Sequence, residues 1–111
     1  MIQAQNKKKY SQEVKKRIQE SFLSQEIIQS YSEGIGYPVT VKLIAEAEES
    51  YQGTYNSEKE FSEAYLIEIG LADNIPCWLF YCLDFESVWM ELRHDYFYIQ
   101  KDDLKHFFRH L

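Results

Sequence analysis

The chain has 111 residues, 45% of them hydrophobic and 16% aromatic, enough to bury one core without staples and too many for wholesale disorder. Two cysteines, Cys77 and Cys82, are too few for a disulfide framework, and no apolar run reaches the length of a membrane span. The formal net charge of −6 is unevenly placed: residues 1–32 hold six bases and three acids, whereas residues 33–111 hold six bases and fifteen acids. The opening MIQAQNKKKY has cations with no apolar stretch behind them, so a signal peptide is not expected and a soluble cytoplasmic protein is.

Taken in order, residues 7–32 read as one long amphipathic helix. Tyr10, Val14, Ile18 and Phe22 step by four, and Leu23, Ile27 and Tyr31 continue the stripe one residue round. The cations Lys7, Lys8 and Lys9 at its start suit a solvated face. Gly34, Gly36 and Pro38 end the helix and divide the chain into 1–36, a helix with a Gly-rich turn, and 37–111, an acidic α+β domain. Residues 39–50 predict a shorter helix, with Val41, Ile44, Ala45 and Glu48 marking its two faces. Tyr51 to Tyr55 alternates aromatic and small residues and reads as a short strand.

Ser57 is placed to cap the next helix, with Glu60 three residues on completing a capping box. That helix is expected to bury Phe61, Ala64, Tyr65 and Ile69 and to stop at Gly70. Leu71 to Asn74 is a turn, and Ile75-Pro76 opens a compact helical turn, CWLFYC, whose apolar composition predicts burial, cysteines included. Asp84 caps a further helix through Arg93 that buries Phe85, Val88, Trp89 and Leu92. Residues 96–100 and 104–109 read as two strands joined at Lys101-Asp102-Asp103, and with Tyr51–Tyr55 they predict a three-stranded antiparallel sheet. The fold class expected is α+β: several short helices packed on this small sheet, preceded by one long N-terminal helix.

Little here points to catalysis. Gly34-x-Gly36 precedes a proline rather than a helix, so it is not a phosphate loop. His106 and His110 lie four apart, but in a strand pattern, which favours surface histidines over a metal pair. The carboxylates flank polar neighbours and show no buried acid beside an ionised one. No enzyme, metal or cofactor is expected.

The distinctive stretch is Glu46 to Glu91, with eleven acids against one cation, Lys59. The run AEAEESYQGTYNSEKEFSEAYLIEIGLADNIPCWLFYCLDFESVWMELRHDYFYIQ, followed by HFFRHL, resembles the C-terminal part of the ArdA antirestriction proteins. The matching residues are Tyr51, Gly53, Tyr55, Ser57, Glu60, Phe61 and Glu63, then Ile75, Pro76, Tyr81, Asp84, Phe85, Glu86 and Leu92, and the Phe108-Arg109 step. Unlike the family, the chain has no N-terminal β-rich domain and little of the acidic central domain, and it carries Cys77, Trp78 and Cys82 where members are more polar.

The resemblance implies inhibition of type I restriction–modification enzymes by imitation of DNA, in a homodimer carried on mobile elements of bacteria. The acidic surface would comprise Glu46, Glu49, Glu58, Glu60, Glu63, Glu68, Asp73, Glu86 and Glu91. A compact chain of this length is ~34 Å across, a span over which duplex DNA presents about 20 phosphates, roughly twice what the acidic stretch supplies. A dimer, or a target that reads a short segment, is therefore expected. A CRISPR effector is the alternative target, direct binding to nucleic acid or membrane is not expected, and a third reading makes the N-terminal helix an oligomerisation or docking module.

Overall fold

The N-terminal stripe is cut in two by serines. The computed structural model describes residues 10–111, in which α1 (Gln12–Glu20) and α2 (Gln25–Ile35) are separate helices. Ser21 leaves α1 in an extended conformation and its hydroxyl accepts the Leu23 N–H at 3.1 Å. Ser24 starts α2 by accepting the Ile27 N–H at 3.2 Å. Serine side chains compete with helical hydrogen bonds in this way, and two of them three residues apart offer both an exit and an entry. The single helix expected over 7–32 is thus not formed, and its first residues, Lys7–Lys9, lie outside the described residues. The break also re-phases the apolar stripe: Leu23 is buried, whereas Phe22, expected on the core face, is 67% exposed.

The chain forms two compact units, one ending at Ser50 and one spanning Tyr51–Leu111. In the first, α2 closes on Gly36, whose φ of 80° is the left-handed conformation glycine adopts without cost. Thr40 then accepts the Leu43 N–H at 3.1 Å at the start of α3 (Val41–Ser50). The three helices bury Ile18, Leu23, Ile27, Ile28, Tyr31, Leu43, Ile44 and Ala47. Arg17 of α1 grips Glu48 of α3 through both guanidinium nitrogens, with Nη1 donating to Oε2 at 3.0 Å and Nη2 to Oε1. The sequence reading places a boundary at 36/37, but α3 belongs with α1 and α2.

The second unit is a sheet overlaid by helices. The strands β1 (Tyr51–Tyr55), β2 (Tyr96–Lys101) and β3 (Leu104–Arg109) are antiparallel in the order β1-β3-β2. Asp102, at φ 59°, turns the hairpin between β2 and β3; aspartate is among the few side chains that tolerate this conformation. A register shift between Tyr51 and Gly53 marks a bulge in β1, with Gly53 at φ 109°. Between β1 and β2 run α4 (Glu58–Glu68), a 3-10 turn (Leu71–Asp73), α5 (Cys77–Phe80) and α6 (Phe85–Leu92).

Aromatic rings bond the two layers. Phe107 of β3 stacks on Phe61 of α4 with centroids 4.2 Å apart, and Tyr55, Trp89 and Tyr98 surround it within 5.7 Å. A second cluster joins Leu66, Phe80 and Phe85, with Tyr65, Leu71, Ile75, Leu83 and Val88 packed against it. The caps stand where the sequence places them: Ser57 accepts the Glu60 N–H at 3.1 Å, and Glu60 reaches back to the Asn56 N–H at 2.9 Å. Burial differs in two places. Ile69, expected inside, is 59% exposed because α4 ends before it and Leu66 takes the inward position. In CWLFYC only Phe80 is buried; Cys77 and Cys82, expected inside, are both exposed. No described helix is long and apolar enough to cross a membrane.

Two outcomes test this arrangement. Ser24→Ala removes the cap that starts α2 and lowers stability by about 1 kcal/mol in urea unfolding, whereas in a continuous helix alanine would be neutral or stabilising. Both thiols react with a disulfide reagent in the native protein at rates close to those in denaturant; buried thiols would react only after unfolding.

Candidate functional site

Carboxylates are the most abundant functional groups, and the fold partitions them sharply. Residues 1–50 carry seven acids and seven bases and are neutral overall. The entire net charge of −6 therefore lies on residues 51–111. Within that unit the helical layer, residues 57–92, holds Glu58, Glu60, Glu63, Glu68, Asp73, Asp84, Glu86 and Glu91 against Lys59 alone. The remaining cations of the unit, Arg93, Lys101, Lys105 and Arg109, follow α6 or lie on the β2–β3 hairpin. The ammonium of Lys105 sits 5.3 Å from the Tyr98 ring centroid.

The nine acids expected to form one surface are distributed over both units. Glu46 and Glu49 sit on α3 of the first unit, where Glu46 lines a recess of ≈ 500 Å³ with Tyr37, Pro38, Thr40, Lys42 and Leu43. The other seven belong to the second unit. Glu60, Glu68, Asp73, Glu86 and Glu91 are exposed, while Glu58 and Glu63 are half-buried.

The structure gathers Glu58 and Glu86 at a groove of ≈ 360 Å³ where α4 and α6 begin. Ser57, Lys59, Asp84, Ser87, Trp89 and Met90 complete its lining. The local chemistry explains the convergence. Each helix begins at a capping residue followed by acids that favour the positive end of the helix dipole. Asp84 accepts from the Glu86 and Ser87 N–H groups at 3.1 and 3.3 Å and from the Ser87 hydroxyl at 2.7 Å. The Ser87 hydrogen bonds, with smaller help from Glu86 and Lys59, hold the Asp84 carboxyl below its usual range. Glu58 accepts from the Tyr98 hydroxyl at 3.1 Å, which ties α4 to β2. Burial first, and then this carboxylate, push the Tyr98 phenol up.

On the sheet, the Tyr51 hydroxyl and His106 Nδ1 are 3.1 Å apart. Burial, seconded by the Lys101 charge, lowers the His106 pKa and favours its neutral form. Among the described residues no group of His, Cys, Asp and Glu is arranged to hold a metal ion. Of the groove acids, Asp84 is partnered by the Glu86 and Ser87 groups that it caps and Glu58 by the Tyr98 phenol.

The sequence reading missed two features. Asp84, expected as a cap and left out of the acidic surface, stands with Glu58 and Glu86 at the groove. Trp78, Leu79 and Tyr81, expected inside, are exposed. The signal for that exposure is faint: CWLFYC has no apolar period, so it does not reveal which side chain turns inward.

No family model, curated protein or solved structure matches this chain.

The capping role of Asp84 has a definite pH signature. Its folded pKa is depressed, so its stabilisation is present above the unfolded value near ~3.9 and fades as pH falls through the folded one. The stability gap between the native sequence and Asp84→Ala should be widest near neutral pH and narrow below about pH 4, measured by urea unfolding across that range.

Proposed function

We propose that this protein inhibits a nucleic-acid-targeting defence system of a bacterial host by presenting an acidic decoy surface, with a type I restriction–modification enzyme as its target. The observation that carries the reading is the helical layer of the second unit, with eight acids and a single base on one run of helices. A duplex-binding groove is lined by cations placed to neutralise phosphates, and it attracts any surface that offers carboxylates at comparable density. The likeness of residues 45–109 to the ArdA proteins points the same way. The contributors are Glu58, Glu60, Glu63, Glu68, Asp73, Glu86 and Glu91 of the second unit; Glu46 and Glu49, on α3 of the first unit, are not part of that layer.

The charge also bounds the mode of action. Seven net negative charges stand for less than half a helical turn of duplex phosphate, about 20 charges per turn. One copy thus competes for a short contact, and a homodimer would double the count. The same limit favours, as the second reading, a CRISPR effector that reads a short duplex segment.

Binding of the full chain to purified type I enzyme should weaken steeply between 50 and 200 mM salt. Replacing four exposed acids outside the caps, Glu68→Gln, Asp73→Asn, Glu86→Gln and Glu91→Gln together, should lower affinity on the order of tenfold or more and flatten the salt slope. In cells the protein should protect unmodified DNA from restriction. Protection from CRISPR interference without protection from restriction would transfer the reading to the second target. Protection from neither, with salt-independent behaviour, would end it.

A further inference from the structure

The helix α5 exposes more apolar surface than its structural role requires. Phe80 alone seats it, packed in the cluster with Leu66 and Phe85. Tyr81 meets the Phe80 ring edge-on at 5.2 Å but remains 61% exposed; Trp78 is 69% and Leu79 37% exposed. Isolated apolar residues on a surface need no explanation, but three large ones within four consecutive positions ask for one, and contact with a partner is the usual one. Tryptophan and tyrosine are also the residues that dominate binding when they become desolvated in a partner's pocket.

Charge decides what can cover them. The helix α5 is part of the helical layer that nets −7. A second copy docked on this face would bring like charge against like charge, and nucleic acid or an anionic bilayer would be repelled in the same way. A protein surface that is cationic around an apolar recess is attracted on both counts. Resting on the decoy reading, we infer that Trp78, Leu79 and Tyr81 are the apolar anchor that seats in a recess of the cationic protein surface drawn in by the carboxylates. The acids then govern the rate of encounter and its salt dependence, and the anchor governs how long the complex lasts. Such an anchor compensates for a carboxylate count too low to hold a DNA-binding groove by charge alone.

The test uses the full chain and its Trp78→Ala/Tyr81→Ala double variant, which leaves Phe80 and the core intact. Each is titrated with purified type I restriction enzyme, with poly-lysine, and with an amphipathic lysine–leucine helical peptide of equal charge. The native sequence should bind the amphipathic peptide about tenfold or more tightly than poly-lysine, with a blue shift of tryptophan emission, and the variant should lose both preference and shift. Its dissociation from the enzyme should quicken about tenfold or more at an unchanged salt slope. If the enzyme does not bind but the peptide preference disappears in the variant, the anchor stands and the choice of target is wrong. If the enzyme binds both forms equally, the decoy stands and the anchor is overturned. Equal affinity of the native sequence for the two cationic probes overturns the anchor as well. So does a dimer in sedimentation equilibrium that the double variant abolishes, because the occupant is then a second copy.

Discussion

The second unit depends on one ring. Phe107 sits in the middle strand, stacked on Phe61 of α4 and flanked by Tyr55 of β1, Tyr98 of β2 and Trp89 of α6. Three strands and two helices therefore meet at a single fully buried side chain. Aromatic pairs in edge-on and offset-stacked geometries are each worth about 0.5–1.5 kcal/mol beyond the area they bury, so this junction holds the layers together without a long apolar stripe on either helix. Tyr98 serves at the rim of the cluster, where its hydroxyl donates to Glu58 and ties the junction to the acidic layer.

That junction also dictates where the charge and the exposed apolar groups go. With the interior filled from the sheet side, α4 and α6 turn only part of their circumference inward. Acids occupy much of the remainder, and apart from Lys59 on α4 the cations of this unit are left to the strands and the segment after α6. The short α5 contributes one ring to the second cluster and leaves its neighbours outside. Negative charge and exposed apolar groups thus share one layer as a by-product of how the core is filled. On the decoy reading, that layer combines encounter by charge with retention by contact.

Local features were legible in the sequence because a few residues settle them. Ser57 with Glu60, Asp84, the Asp102-Asp103 hairpin and the glycine-bearing β1 each act over three or four positions, and the helix starts and strands follow from them. The helix break at Ser21–Ser24 was hidden because neither glycine nor proline marks it and the apolar spacing runs through it with a one-residue slip. What looked like drift of a stripe round one helix is a phase change between two. The inward residue of CWLFYC was equally hidden, since six mostly apolar residues in a row carry no period, and only packing against Leu66 and Phe85 selects Phe80. The acids could be counted but not located: Glu46 and Glu49 fall in a different compact unit from the other seven, and the gathering of Glu58 with Glu86 depends on α4 and α6 starting at one groove.

The strand order has a bearing on how the molecule comes into being. Since β3 lies between β1 and β2, neither outer strand has its partner until the last-made of the three exists. During synthesis α1, α2 and α3 can gather as a bundle of near neighbours, while β1, already outside the ribosome, waits some fifty residues for Phe107 and Phe108. Helices α4 to α6 spend that interval with Phe61 and Trp89 unroofed. Their dense carboxylates set like charge against like between chains in the same condition, which opposes their association before the sheet closes.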